Sequence, residues 1–384
     1  MASSTLLSKA NASFSLAMLR KLTEEDNAAN IIFSPYSISS ALAMVMLGAR
    51  GNTAAQIAEC LQTQDCQDDV HSLFAQQLRK LSKPRAPFVL SVANKLYSEQ
   101  TNQFLQDFLT HTRKLYKAEP ESVDFRTSSE EARVKINSWV EKQTQGKIRD
   151  VVAEGVLDGM TRLVLVNAIY FKDVSHLSTV CILSVTKEFC CLQNDTRPVQ
   201  MMKQTTYLPL AFIPEVNCQI LEMPYKGKKV SMLILLPEEI EDDTTGLEKL
   251  EKHLTYEKCM EWTHSEKMTL VNVEVHLPQF KMEETFELNE VLTSMGMGDA
   301  FDVTKCNFSG MSGNKELVLT KVSQKAFLEV NEKGTEAAAA SADLVTELSY
   351  VKLACFSADH PFLFFIRHNA TMSILFAGRF CSPV

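Results

Sequence analysis

The feature that most constrains the fold is a change in hydrophobic pattern part-way along the chain. Over the first 160 or so of the 384 residues, apolar side chains recur three or four positions apart, as at Phe14, Met18 and Leu22, which is typical of amphipathic helices. In the remainder, short runs of β-branched and aromatic residues predominate, among them 163–171 and 317–330, and such runs are typical of strands. Because no stretch rich in Pro, Gly or Ser separates the two parts, the sequence predicts one large α+β domain with extensive sheets. Individual patterns predict a strand at 88–93 and helices at 103–116, 132–144 and 286–295.

The charge of the chain argues against two classes of partner. With 39 basic and 47 acidic residues the net charge is −8, which argues against a general nucleic-acid binder or an anionic-membrane binder, because both need a basic face. No run of 18 apolar residues occurs, and no transmembrane helix is predicted. The N-terminus has neither a charged n-region nor a long apolar h-region, so no cleavable signal peptide is predicted.

The ten cysteines are scattered along the chain. They form no C-x₂-C pair and have no histidine partner at zinc spacing, so no metal site is predicted. In a long chain without a predicted signal peptide, this pattern favours free thiols in a reducing compartment. We therefore expect a cytoplasmic protein, with the nucleus as a second location.

Motifs for catalysis are missing from the sequence. The run from Gly310 to Asn314 approaches a nucleophile elbow around Ser312, but Asn replaces the second glycine that the strained turn needs. No phosphate-binding loop, dinucleotide-binding glycine motif or H-E-x-x-H sequence occurs. The histidines are isolated from carboxylates at any spacing that indicates acid–base work. The sequence predicts neither an enzyme nor a cofactor.

The segment 331–357 carries the functional signal. Glu336 and the four alanines at 337–340 are strong helix formers, so one interpretation is a surface helix. Against it, hardly any large apolar residue occurs before Leu344, so such a helix would have no face to bury. From residue types alone both a surface helix and an exposed extended loop remain open.

Five sequence blocks, in order along the whole chain, resemble the serpin family of protease inhibitors. The alanine-rich segment itself resembles the serpin hinge, in which an acidic residue, Gly, Thr, Glu and small residues precede an exposed bait. The matching blocks are Asn30-Ile-Ile-Phe-Ser-Pro-Tyr-Ser-Ile38, Ile136-Asn-Ser-Trp-Val-Glu-Lys-Gln-Thr-Gln-Gly-Lys-Ile148, Leu165-Val-Asn-Ala-Ile-Tyr-Phe-Lys172, Asp359-His-Pro-Phe-Leu-Phe-Phe-Ile-Arg367 and Leu375-Phe-Ala-Gly-Arg-Phe380.

The resemblance implies a single domain over 1–384 with three β-sheets, about nine helices and an exposed reactive-centre loop at about 332–355. In this family a target protease attacks the loop and forms an acyl-enzyme. The cut loop then inserts as a new strand into the largest sheet, and the attached protease is distorted before deacylation. The predicted function is suicide-substrate inhibition by a monomer.

The resemblance also implies which residues act. The hinge maps to Glu332, Gly334, Thr335, Glu336, Ala337, Ala338, Ala339 and Ala340. Sixteen residues beyond Glu332, the reactive bond falls between Leu348 and Ser349, with Leu344 and Tyr350 as alternative cut sites. A leucine suits an apolar primary pocket, so chymotrypsin-like or elastase-like serine proteases, including granule proteases, are the expected partners.

The family branch is indicated by further similarities. The predicted lack of a signal peptide and the short segment between the third and fourth helices resemble the intracellular ov-serpin branch (clade B). Within it, 337–341 and 358–369 are similar to the inhibitor of granzyme B in cytotoxic lymphocytes. Since that inhibitor has an acidic bait residue where this chain has Leu348, granzyme B is not carried over as the target.

Three departures from the family pattern bear on the mechanism. The family's Gly-x-Trp after the Phe-Lys strand is replaced by Asp173-Val-Ser175 within a rewritten stretch, 173–186. In the polar shutter cluster, Ser34, Ser37 and Asn167 match, whereas the usual His is Gln324, which can both donate and accept. Asp343 would face inward on insertion, where a lone carboxylate is costly. The alternative is therefore a non-inhibitory or degenerate serpin that is cleaved as a substrate or acts as a binding protein.

Overall fold

The computed structural model describes residues 2–24, 26–81, 88–173, 183–192, 195–238, 244–264, 266–314, 316–331 and 353–383. All hinge residues predicted at 332–340, the bond between Leu348 and Ser349, and Ser175 lie outside these ranges. The nine α-helices of the described residues are α1 (Ala2–Thr23), α2 (Pro35–Gly48), α3 (Gly51–Cys60), α4 (Val70–Leu81), α5 (Gln106–Tyr116), α6 (Phe125–Gln143), α7 (Glu248–His253), α8 (Tyr256–Trp262) and α9 (Asn289–Ser294). The strands are β1 (Ile31–Phe33), β2 (Phe88–Glu99), β3 (Glu121–Val123), β4 (Leu163–Asp173), β5 (Leu183–Leu192), β6 (Asp195–Ile213), β7 (Cys218–Pro224), β8 (Val230–Pro237), β9 (Thr269–Pro278), β10 (Phe280–Glu287), β11 (Leu319–Val330), β12 (Ala354–Ser357), β13 (Phe362–His368) and β14 (Ser373–Phe380).

One sheet has five strands in the order β10-β11-β4-β2-β3. At its centre β11 and β4 are direct neighbours and run parallel, paired from Leu319 with Leu163 to Glu329 with Lys172. All other neighbours of β4 and β11 in this sheet are antiparallel. A parallel pair of neighbouring strands requires a long connection, and here the chain between β4 and β11 carries β5–β10 and α7–α9.

The second sheet has nine strands. Eight of the strands follow the order β1-β14-β13-β8-β7-β6-β9-β12, and the ninth, β5, also pairs with β6. The 19-residue strand β6 pairs with β9 over 201–210 and with β7 over 210–213. The resemblance implies three sheets, whereas the described strands form two, because β6 pairs with both β7 and β9. The predicted α+β fold itself is confirmed.

Apolar layers fix how these sheets pack. Between the sheets lies one buried cluster to which β4 contributes Phe171, β11 contributes Leu328 and the nine-stranded sheet contributes Phe364. The opposite face of the five-stranded sheet carries Tyr170 and Phe327, which are covered by α6 in a separate cluster. Side chains of β4 and β11 thus alternate between the two layers, as expected for central strands covered on both faces.

The helix α2 crosses the molecule at its centre. Every residue of α2 except Leu47 is buried, including three serines. Its start is fixed by Ser34, whose hydroxyl accepts a hydrogen bond from the Ser37 amide at 3.1 Å, and by Pro35 at the first helical position. This brings the hydroxyls of Ser34 and Ser37 beneath the central strands of the five-stranded sheet.

Most predicted elements are confirmed, and one helix is partly wrong. The helix predicted at 286–295 begins only at Asn289, because Phe286 belongs to strand β10, where it pairs with Gln324. The helix predicted at 103–116 begins at Gln106, and the one predicted at 132–144 begins earlier, at Phe125, where Asp124 caps it. No helix of the described residues has the length and apolar character to cross a membrane.

The nine cysteines of the described ranges are free thiols, and we expect them to differ sharply in reactivity. Cys355 is exposed, whereas burial raises the pKa of Cys60 and of Cys381 to about 12, so these thiols stay protonated and unreactive at pH 8. In a titration of the folded protein with an aromatic disulfide reagent, Cys355→Ser should remove one fast-reacting thiol. The control Cys381→Ser should leave the number of fast thiols unchanged, and loss of a fast thiol in this control would contradict the described burial.

Candidate functional site

The predicted shutter residues come together beneath the central strands. Register places Gln324 of β11 opposite Asn167 of β4, while α2 supplies Ser34 and Ser37. A fifth residue, Asn94 of β2, lies opposite Asn167 on its other side. We call Ser34, Ser37, Asn94, Asn167 and Gln324 the shutter cluster.

Asn167 is the hub of the shutter cluster. Its amide donates to the Ser37 hydroxyl at 2.5 Å and to the Asn94 carbonyl oxygen. Its own Oδ1 accepts from Gln324 Nε2 at 2.8 Å. Asn167 is 1% exposed and Gln324 is fully buried, so these hydrogen bonds are shielded from water and costly to leave unmade.

Gln324 keeps the cluster connected although the family pattern has His here. Its Nε2 donates both to Asn167 and, at 3.3 Å, to the carbonyl oxygen of Ser34. Its Oε1, however, has no hydrogen-bond partner among the described residues. A glutamine therefore satisfies the donor role at this position and leaves its acceptor unused.

The shutter cluster bridges the two strands that any inserted strand would have to separate. The bond from Gln324 to Asn167 links β11 directly to β4, and Ser34 ties the same glutamine to α2. Ser34 is anchored in turn to the nine-stranded sheet, because its hydroxyl donates to the Leu375 carbonyl at 2.5 Å. Parting β4 from β11 must break or rearrange this network.

A second connection across β11 was not predicted from the sequence. The segment 144–162 follows α6, and its Arg149 carbonyl accepts a hydrogen bond from Lys325 of β11 at 2.8 Å. Lys325 also pairs with Glu283 of β10 at 3.0 Å. Further along, the Arg162 amide donates to the Thr320 hydroxyl at 3.0 Å. These contacts hold the segment 144–162 on the outer face of the five-stranded sheet.

The predicted hinge and reactive bond lie outside the described residues, but both ends of their segment are fixed. On one side the chain leaves β11 at Val330, in the centre of the five-stranded sheet. On the other side it enters β12 at Ala354, at the end of the nine-stranded sheet, where Ala354 pairs with Val273. The segment 332–352 thus joins two different sheets, and its N-terminal end continues directly from one of the two parallel central strands.

The flanks of the rewritten stretch 173–186 are folded. Asp173 ends β4 opposite Phe88, and β5 begins at Leu183. Phe189 of β5 is fully buried and packs edge-on against Phe380, with ring centroids 5.2 Å apart. The stretch 173–186 therefore includes Asp173 at the end of β4 and the first four residues of β5, whose later residue Phe189 packs on the core.

Comparison with known proteins identifies relatives over the whole chain. The family model described as serpin (serine protease inhibitor) matches residues 9–383. A curated relative, the leukocyte elastase inhibitor of Equus caballus, is 48% identical over 377 residues, which is 98% of this chain and 99% of that protein. The protein of the same name from Homo sapiens is 47% identical over the same coverage. Uncleaved ovalbumin superimposes with a TM-score of 0.90 at 35% identity, covering 98% of this chain and all of the ovalbumin chain.

Proposed function

Since this chain belongs to the serpin family, we propose that it is a suicide-substrate inhibitor of elastase-like or chymotrypsin-like serine proteases, with Leu348 as its bait residue. The matching family model is described as serpin (serine protease inhibitor), and an inhibitor's role needs no catalytic residues of its own. The protein acts as a monomer in the cytoplasm, where its free thiols persist.

One observation carries the mechanism. Strands β4 and β11 are hydrogen-bonded to each other in parallel over ten pairs of residues, and the segment that begins directly after β11 contains the alanine-rich hinge. Cleavage of that segment would free its N-terminal part to pair with both strands at once. Insertion adds a second hydrogen-bonded ladder and buries small side chains, which supplies the free energy for trapping the protease.

The target class follows from the bait and from the relatives. Leu348 presents an apolar side chain to the primary pocket, and pockets of this kind occur in chymotrypsin and elastase. The relatives at 47–48% identity are named for leukocyte elastase. An elastase is therefore the first protease to test, and chymotrypsin the second.

Incubation with leukocyte elastase tests the proposal. We expect an SDS-stable adduct and release of a carboxy-terminal fragment that begins at Ser349. Leu348→Gly should slow adduct formation by about tenfold, the scale of losing one apolar side chain in a primary pocket. A fragment that begins at Val345 would instead identify Leu344 as the bait residue, and one that begins at Val351 would identify Tyr350.

A non-inhibitory role is the second candidate, favoured by the rewritten stretch 173–186 and by Asp343. In that case the same incubation would yield only a clipped chain, without an adduct. The clipped chain would also melt at the temperature of the intact one, because no strand would have been added to the five-stranded sheet.

A further inference from the structure

A cluster of exposed apolar side chains lies beside the point where the segment 332–352 re-enters the fold. Tyr207 of β6 and Leu270 of β9 are each 64% exposed, and Leu353, directly before β12, is 44% exposed. Their strands are neighbours in the order β6-β9-β12. We call Tyr207, Pro209, Leu270 and Leu353 the β6–β9 patch.

Strand register puts the members of the β6–β9 patch on one face. Tyr207 lies opposite Asn272 and Pro209 opposite Leu270, and directly paired residues point to the same side of a sheet. In β12, Cys355 pairs with Glu274, so Cys355 and, two residues earlier, Leu353 share the face of 270, 272 and 274. The opposite face is the core side, where Leu208, Val273, Val275 and Phe356 are buried.

A polar border adjoins the β6–β9 patch along the same strands. Glu274 pairs with Lys203 at 2.8 Å and accepts from His276 Nε2 at 2.8 Å, and Lys187 donates to His276 Nδ1 at 3.0 Å. These charges are matched with one another rather than with the patch. One polar residue, Asn272, lies on the same face opposite Tyr207. Exposed apolar side chains beside a satisfied polar rim are the usual composition of a protein-binding surface.

The geometry points to one occupant, and we propose that the β6–β9 patch is a secondary docking surface for the target protease. The inference rests on the proposed function, because it takes the reactive bond between Leu348 and Ser349 as the place of attack. Ser349 precedes Leu353 by four residues, a reach of at most about 14 Å. Tyr207 lies two strand spacings further, about 10 Å.

A protease that attacks the reactive bond is large enough to contact the β6–β9 patch at the same time. A domain of about 225 residues has a radius of gyration of about 17 Å and is about 45 Å across. A protease centred on the bond has a half-width of about 22 Å, so it extends over Leu353 and β9, and it reaches Tyr207 of β6 wherever the chain from Ser349 to Leu353 spans less than its full length. Exposed tyrosine and leucine side chains at this position add contact area outside the primary pocket. Tyrosine in particular is a residue type that often contributes strongly to binding affinity.

The test measures binding without loop insertion. The partner is leukocyte elastase whose catalytic serine is replaced by alanine, so that only the non-covalent complex forms. The double variant Tyr207→Ser with Leu270→Ser should raise the Kd at least about tenfold. The control is Phe212→Ser, because Phe212 is 50% exposed on the same strand but points to the opposite face; its Kd should change less than twofold.

Three results would overturn the inference. The first is an equal Kd for the double variant and the Phe212 control, and the second is an absence of binding between the unaltered chain and the inactive elastase. The third is a dimer of the unaltered chain that the double variant fails to form, which would assign the patch to a second copy of this chain. Should the double variant melt at a lower temperature, Leu353→Ser replaces it with the same expected direction. Adduct formation with active elastase tests the proposed function separately. If the chain binds inactive elastase but forms no adduct with active elastase, the docking surface is supported and the inhibitory function is contradicted.

Discussion

Replacing Thr335 by arginine is expected to turn the inhibitor into a substrate. After cleavage the acyl-enzyme either deacylates or is trapped by insertion, so the outcome depends on the ratio of two rates. On insertion Thr335 would point into the layer between the sheets, beside Phe171, Leu328 and Val330. A guanidinium in that apolar layer raises the barrier to insertion, and 1.4 kcal/mol already changes the ratio tenfold. We expect the inhibition stoichiometry to rise more than about tenfold and the SDS-stable adduct to disappear.

The matched control is the neighbouring residue. Glu336 would point to the opposite side of the inserted strand, so Glu336→Arg should retain the adduct and a stoichiometry within about twofold of the unaltered chain. Both variants leave Leu348 in place and should be cleaved at the same bond. An unchanged adduct in Thr335→Arg would rule out insertion of this segment between β4 and β11.

The two central strands on which this prediction rests, β4 and β11, could be predicted well from the sequence. The β-branched and aromatic runs at 317–330 and 163–171 predicted β11 and β4, because central strands are covered on both faces and favour such side chains. The polar residues Ser34, Ser37, Asn167 and Gln324 were recognised through family blocks, and the fold brings them into one network.

What the sequence could not supply are contacts that depend on register between distant strands. Asn94 joins the shutter cluster only because β2 pairs with β4 in the register that sets it opposite Asn167. Asn94 directly follows the strand predicted at 88–93, and a polar residue at such a position is weak evidence of a role by itself. The start of the helix predicted at 286–295 was wrong for the same reason, since Phe286 is held in β10 by pairing with Gln324 rather than by local propensity.

The other missed contacts join segments far apart in the chain. Lys325 is an ordinary charged residue in sequence, yet its contact with the Arg149 carbonyl ties β11 to the segment after α6. Likewise Tyr207 and Leu270 are unremarkable strand residues until the pairing of β6 with β9 sets them side by side on an outer face. Burial and exposure at these positions are consequences of topology.

Removing the hub of the shutter cluster should give the largest loss of stability. Asn167→Ala deletes the donor to Ser37 and Asn94 and the acceptor for Gln324 at a position that is 1% exposed. Buried polar groups left without partners cost about 1–3 kcal/mol each, partly offset where Gln324 keeps its bond to Ser34. We expect the free energy of unfolding to fall by about 3 kcal/mol and the melting temperature to fall by about 5 °C.

The control for this loss is the same substitution on the surface. Asn52 is exposed and its side-chain amide donates to the Asp299 carboxylate at 2.5 Å, so Asn52→Ala should change the free energy of unfolding by no more than about 0.5 kcal/mol. A double-mutant cycle adds a direct test of the contact across the central strands. If Gln324 and Asn167 are coupled as described, Asn167→Ala and Gln324→Ala should be non-additive by about 1 kcal/mol. Additive losses would mean that the bond between the two amides does not hold β4 to β11, and that the resistance to insertion resides in Lys325 and the segment 144–162 instead.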